Sequence, residues 1–367
     1  MKEVNLYIHI PFCKQKCHYC DFISYPNKDD YIENYIETLI KEYRNYKAEE
    51  YIIKTIYIGG GTPSYIDSKY IAKLFKEINL DNAEEITIEV NPGTVTREKL
   101  IDYKTAGINR LSIGLQATQD RLLKEIGRIH TYSEFIDTYN MAREIGFKNI
   151  NVDLMLALPE QSIDDIKESV DKIVNLNPEH ISIYSLILEE GTKLYDMVKN
   201  KEYTLVDDDI ERKMYWEVKK ILEKNGYIHY EISNFSREGY YSKHNISCWN
   251  QQEYIGIGAA AHSYLDGRRY SNIESIEEYI KDYSNRQVNE IQDKLSQEKE
   301  YMILGLRKLE GVKISEFKIK FNENPIYLFR NELNKLVTLG LIEVDFNDIR
   351  LTEKGLDLAN IVWQEFI

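Results

Sequence analysis

At 367 residues, 43% of them apolar with charges interspersed, the chain has room for one large domain and one small one and an ordinary globular composition. Its formal net charge of −14 argues against wrapping nucleic acid, which relies on Lys and Arg. No window approaches 18 uninterrupted apolar residues and the start leads straight into strand-like sequence, so neither a transmembrane span nor a signal peptide is expected.

In chain order, Val4, Leu6, Ile8 and Ile10 alternate with Asn5, Tyr7 and His9, the period of a strand, and Pro11 ends it. Cys13, Cys17 and Cys20 follow at C-x3-C-x2-C spacing, at the C-terminal end of that strand, where α/β folds place their chemistry. Three thiolates suit an iron–sulfur cluster or zinc. Structural zinc takes four protein ligands, and the fourth cysteine, Cys248, lies far along the chain. Tyr19 and Phe22 are placed to shield a cluster from water. Clustered cysteines also fit a reducing cytoplasm, the expected location, with peripheral membrane contact left open.

Helical spacing covers residues 31–46, then residues 55–58 form a short strand ending in Gly59-Gly60-Gly61-Thr62-Pro63. Helix and strand alternate onward: helix 69–78, strand 85–90, helix 96–106, strand 109–115, helix 133–145, strand 149–154, helix 163–176 and strand 180–186. Six strands alternating with helices predict parallel βα units, too few for a closed eight-stranded barrel. The fold expected is α/β, a partial (βα)6 barrel, with a doubly wound sheet as the structural alternative. A longer helix is expected at 207–225, and the Gly-, aromatic- and His-rich stretch 227–271 reads as a cap over the barrel mouth. Helix 275–286 and a polar linker at 287–294 follow. Helices at 296–309, 314–321 and 325–339 then precede an alternating hairpin at 341–351 around Asn347-Asp348, a small winged-helix-like domain. The organisation expected is a core of residues 1–270, a linker helix at 271–295 and the C-terminal domain at 296–367.

Three consecutive glycines cost ordering free energy, roughly 0.5–1 kcal/mol each relative to Ala, and make sense where backbone approaches a ligand closely. Glu89, Gln116 and Asp153 fall at or near the C-terminal ends of three different strands, and Arg128 follows in Gly127-Arg128-Ile129-His130. Polar groups converging on one rim need partners, which a zwitterionic ligand bearing a ribose supplies.

The cysteine spacing resembles the signature of the radical S-adenosylmethionine (SAM) superfamily. There, three cysteines hold a 4Fe–4S cluster whose open iron chelates SAM. YIHIPFCKQKCHYCDF, GGGTPS, IEVNPG, GINRLSIGLQA, GRIH, NVDLMLALPEQ, YEISNF and YIGIGAAAHS together resemble the oxygen-independent coproporphyrinogen III oxidase-like family. The resemblance spans roughly residues 6–267, and the C-terminal stretch is similar too. It implies that Cys13, Cys17 and Cys20 ligate the cluster and that Tyr7, Gly60 and Glu89 contact the SAM bound there. Tyr19, Gly61, Thr62, Gln116, Arg128 and Asp153 match positions that contact a second SAM in the oxidase.

Within that family the resemblance favours the heme-chaperone branch. The oxidase has a fourth cysteine where this chain has Phe22, and extra sequence before the position of Tyr7. The chaperone branch resembles H-N-x-x-Y-W, and this chain reads His244-Asn245-Ile246-Ser247-Cys248-Trp249, with Cys248 at the Tyr position. The resemblance implies heme as cargo, an acceptor protein that receives it and an electron donor for the cluster. His244, Asn245, Cys248, Trp249 and His262 are the heme-binding candidates. A coproporphyrinogen III oxidase, decarboxylating propionates to vinyls, is one alternative, and a zinc-bound adaptor without redox chemistry is another.

Overall fold

The computed structural model describes residues 1–46 and 50–367. Strand β1 (Lys2–Ile10) leads through the cysteine loop to helix α1 (Ile32–Asn45), and β2 (Tyr51–Gly60) leads to α2 (Ser68–Phe75). Then come β3 (Glu85–Val90) and α3 (Arg97–Thr105), β4 (Arg110–Gln116) with α4 (Asp120–Glu125) and α5 (Tyr132–Ile145), β5 (Ile150–Leu156) and α6 (Ile163–Leu176), and β6 (His180–Ser185). These strands pair in parallel and in sequence order, the expected open (βα)6 barrel. Helices α2, α3, α5 and α6 start where a side chain satisfies one of the first free N–H groups. Thr131 with Glu134 and Ser162 with Asp165 form capping boxes on α5 and α6. Left-handed Gly146 and Asn177 end the same two helices.

Alternation along the strands separates two faces. Leu6, Ile8, Ile56, Ile58, Ile86 and Ile88 join the fully buried core with the helices. The other parity carries polar residues that bond to one another across strands. Thr55 donates to Asn5, Asn151 to Ser112, Ser112 to Asp153 and Ser182 to Asn151. Asn5 and His9, polar in the β1 pattern, are therefore buried at 1% and 4% exposure rather than facing solvent. The barrel interior is polar, and its wall is apolar.

The second half of the chain departs from expectation. After α7 (Lys193–Lys199) and α8 (Asp208–Lys224), β7 (Ile228–Glu231) and β8 (Asn234–Ser236) extend the sheet antiparallel beyond β6. Past α9 (Lys243–Trp249), β9 (Tyr254–Ile257) pairs with β1 in parallel, a seventh parallel strand. β10 (His262–Leu265), β11 (Arg268–Asn272) and, after α10 (Ile276–Lys281), β12 (Arg286–Ile291) continue that edge antiparallel. Residues 227–271 are thus not a cap over the mouth. They form strands on both edges of a 12-stranded sheet and place α9 under its floor. Glu85, the first residue of β3, accepts the N–H groups of Lys243 and His244, both at 3.0 Å. Strands of three to five residues carry too few alternations to be read from sequence, and an open sheet edge recruits them through its unpaired backbone. Residues 287–291, expected as linker, are an edge strand whose exposed polar side chains look like linker composition.

The C-terminal domain comprises α11 (Lys294–Gly305), β13 (Val312–Lys313), α12 (Ile314–Phe321), α13 (Pro325–Leu328), α14 (Arg330–Thr338), β14 (Ile342–Val344), β15 (Asp348–Leu351), α15 (Glu353–Asp357) and α16 (Ala359–Gln364). The hairpin holds β13 as a third strand, in the order β13-β15-β14. Phe317, Leu336, Ile349 and Val362 centre a second core, and the expected winged-helix-like module gains two helices after its hairpin. It docks beneath the barrel, where Arg307 lies over the rings of Trp249 (4.3 Å) and Trp363 (5.2 Å).

Candidate cofactor site

A cavity of about 400 Å³ opens at the C-terminal ends of the strands. Its wall begins with Cys13, Cys17 and Cys20, on a loop held at several points. Tyr25 N–H donates to Pro11 O (2.7 Å) and Thr62 N–H to Phe12 O (2.9 Å). His18 fixes the far side. Its N–H bonds Ile126 O, its Nδ1 sits 2.9 Å from Glu125 O, and its own carbonyl accepts from Leu194 N–H at 2.7 Å. Gly127, at φ +72°, leaves room for that imidazole, since a Cβ there would lie 2.7 Å from the ring.

The three glycines after β2 are required by what surrounds them. A Cβ on Gly59 would approach Tyr57 to 2.9 Å and the Glu89 carboxylate to 3.0 Å. On Gly60, at φ +112°, it would strike the His9 ring at 2.5 Å. On Gly61 it would meet Pro11 C and Phe12 O at 2.9 Å and Cys13 Sγ at 3.0 Å. The glycines thus let the end of β2 pass between the cysteine loop and Glu89. That carboxylate accepts from Tyr57 O–H at 2.9 Å and from Gly60 N–H at 3.3 Å. Burial, reinforced by Asp153, pushes Glu89 up to about 7, against those two hydrogen bonds, which pull it down.

The opposite wall is shaped by a bulge. Pairing between β4 and β5 shifts register between Gly114 and Gln116, and Gln116 takes a left-handed φ of +69°. Bulges of this kind re-aim side chains beside functional sites. Arg128 donates from Nη2 to Gly114 O at 2.8 Å and approaches Cys17 Sγ with Nη1 at 3.5 Å. Asp153 accepts from Asn151 (2.7 Å) and Ser112 (3.2 Å), and burial raises its carboxyl.

The residues present fit a cluster with a zwitterionic cofactor. Cys13, Cys17 and Cys20 together border the cavity of about 400 Å³, which has room for a cluster and a small cofactor. Burial raises the Cys13 thiol and pushes Cys20 up to about 11, and coordinated iron holds such thiols as thiolates. Two buried polar atoms on the cavity wall have no protein partner, the donor Arg128 Nε and the acceptor Gln116 Oε1. A carboxylate and an ammonium on one ligand satisfy such a pair.

Cys13, Cys17, Cys20, Tyr19, Gly60, Gly61, Thr62, Glu89, Gln116, Arg128 and Asp153 all line this one cavity. Tyr7 does not. Its hydroxyl bonds His9 Nδ1 at 3.0 Å and its ring packs on Tyr57, which takes the place at the wall. The heme candidates lie elsewhere, with none of His244, Asn245, Cys248, Trp249 or His262 on the cavity wall. His244 is buried under the floor, Trp249 meets the C-terminal domain, and His262 is exposed on β10, between β9 and β11. Sequence reasoning missed Tyr57, Ser112 and Tyr184 in the wall. Tyr57 shares strand parity with Gly59, a signal that could have found it. His18 was passed over as well, because its partners sit more than a hundred residues away.

The Radical SAM superfamily profile matches residues 7–173, and the HemN C-terminal domain profile matches residues 293–358. The chain is 38% identical to the heme chaperone HemW of Lactococcus lactis, covering 100% of this chain and 98% of that protein. It is likewise 38% identical to heme chaperone HemW of Bacillus subtilis, over 99% of each. The Escherichia coli heme chaperone HemW is 37% identical over 73% of this chain. Among solved structures, the coproporphyrinogen III oxidase HemN of Escherichia coli, a radical SAM enzyme, superposes with a TM-score of 0.85. That match covers 100% of this chain and 90% of the oxidase at 22% identity, a likeness of fold.

Proposed function

The chain belongs to the heme chaperone HemW family of radical SAM proteins, and on that premise we propose that it binds heme and delivers it to an acceptor protein. Its cofactors are a 4Fe–4S cluster and SAM. The observation that carries the site assignment is the convergence of three cysteines, the glycine turn, Glu89, Gln116, Arg128 and Asp153 on one cavity. Cys13, Cys17 and Cys20 would hold the cluster, and Glu89 with the Gly60 backbone would hold the ammonium end of SAM. Arg128 and Asp153 would bind polar groups of SAM across the cavity. When bound, the cluster supplies an electron to SAM, and an electron-donor protein recharges it. Tyr19, half-buried on the cavity wall, would screen the cysteines from water, whereas Phe22 stands 63% exposed on the rim.

Phe22 also favours the chaperone over the oxidase, because it occupies the oxidase's fourth-cysteine position on the cavity rim. For heme itself, His262 is the axial ligand reached without rearrangement, since it is exposed whereas His244 is 7% exposed and bonded within the floor. No helix among the described residues is long and apolar enough to cross a membrane. A cytoplasmic site of action accords with free thiols at the cluster site.

Anaerobic reconstitution followed by parallel heme titration and coproporphyrinogen III turnover tests this reading. The expected result is a Soret band without conversion to protoporphyrinogen IX, and a band shifted or lost in His262→Ala. Turnover of coproporphyrinogen III by the purified protein would overturn the chaperone assignment.

A further inference from the structure

His244 stands one contact from the cofactor cavity, and two from Glu89, without lining it. Its ring packs on that of Tyr57, centroids 5.2 Å apart and planes 33° apart, and the Tyr57 hydroxyl donates to Glu89 Oε1 at 2.9 Å. Tyr57 and Glu89 both line the cavity. His244 is fixed at three points. Its backbone N–H donates to Glu85, its Nδ1 lies 2.7 Å from Thr55 Oγ1, and its face meets Tyr57. Thr55 spends its single hydroxyl proton on Asn5 Oδ1 at 2.7 Å, so Nδ1 carries the proton in the His244–Thr55 bond. Burial lowers the His244 pKa to about 3, so the ring is neutral and acts as a wall.

We infer that His244 is a positioning residue for SAM binding, holding Tyr57 so that its hydroxyl keeps Glu89 aimed into the cavity. This rests on the assignment of Glu89 to SAM. A carboxylate on the cavity wall can rotate away, whereas one held by a buried tyrosine hydroxyl and a backbone N–H keeps its direction. His244 thereby ties the α9 motif under the floor to the chemistry above it. The motif histidine serves the cluster site from behind rather than ligating heme.

The test uses the anaerobically reconstituted full chain, with SAM affinity measured by equilibrium dialysis and the EPR change on adding SAM to the reduced protein. Tyr57→Phe, which removes only the hydroxyl, is expected to weaken SAM binding by about five- to tenfold. His244→Ala is expected to weaken it similarly, and the double variant no further than the weaker single one, because both act through one hydrogen bond. His244→Phe keeps a ring against Tyr57 and should return affinity to within about twofold of wild type, with an unaltered heme Soret band. Full multiplication of the two effects in the double variant, or a His244→Phe no better than Ala, would overturn the inference. So would a Soret band lost in His244→Phe. Should His244→Ala fail to fold, Thr55→Val releases the Nδ1 anchor with the ring retained, and wild-type SAM affinity there also overturns it. Undiminished SAM binding in Glu89→Ala would instead refute the assignment of Glu89 beneath it.

Discussion

Replacing Glu89 with Gln keeps the side chain's shape and removes its charge. In the structure this carboxyl lies on the cavity wall with two donors, and burial pushes it up to about 7. A ligand ammonium needs the ionised form. The sign follows directly: the site is competent above pH 7, and affinity falls as pH drops through 7. A carboxyl of that pKa is about one-eleventh ionised at pH 6 and about three-quarters ionised at pH 7.5, so SAM should bind about eightfold tighter at the higher pH. Burial holds His9 near 4 and His130 near 3, so neither of those histidines titrates in this window. Losing a charge-assisted hydrogen bond costs about 1.5–3 kcal/mol, so Glu89→Gln should weaken binding by about tenfold to a hundredfold at pH 7.5. It should also flatten the pH profile. Equilibrium dialysis of the reconstituted protein between pH 6 and 7.5 measures both. Flat wild-type affinity across that range, or a Gln variant that keeps the slope, would refute the reasoning.

Cys13→Ser, Cys17→Ser and Cys20→Ser should each abolish the iron–sulfur absorbance while Cys248→Ser retains it, since Cys248 lies outside the cavity. Loss of the cluster in Cys248→Ser would sink the three-thiol arrangement. Gly61→Ala places a methyl 2.9 Å from the backbone of the cysteine loop, which has nowhere to yield without moving Cys13. Iron content per chain should fall while far-UV circular dichroism is kept. Glu42 is fully buried and accepts from Tyr279, Asn272, Arg286 and Gly258 N–H, stapling α1 to the β9–β12 edge. Glu42→Ala strips the buried partner from Arg286 and should cost about 3–5 kcal/mol, read as a lowered thermal midpoint. An unchanged midpoint would contradict that account.

The sequence by itself determined the parts whose cause is local. β1 to β6 and the helices between them follow from hydrophobic period, caps and glycine turns, each acting within a few residues. Among the cavity residues, Cys13, Cys17, Cys20, Glu89, Gln116 and Asp153 were legible for a related reason. Parallel strands present their C-terminal ends at one rim, so residues at those ends converge whatever the details between them. Only the tertiary structure decided what residues 227–291 do. Their short strands have no preference strong enough to choose a place, and the two open edges of the parallel sheet chose it for them. The same long-range pairing sent α9 beneath the barrel and buried His244 against Tyr57, 187 positions earlier in the chain. It also set Tyr57, rather than Tyr7, at the cavity wall. Both tyrosines sit at polar-parity positions of neighbouring strands, paired directly in register, and which of them borders the space depends on packing that no spacing along the chain encodes.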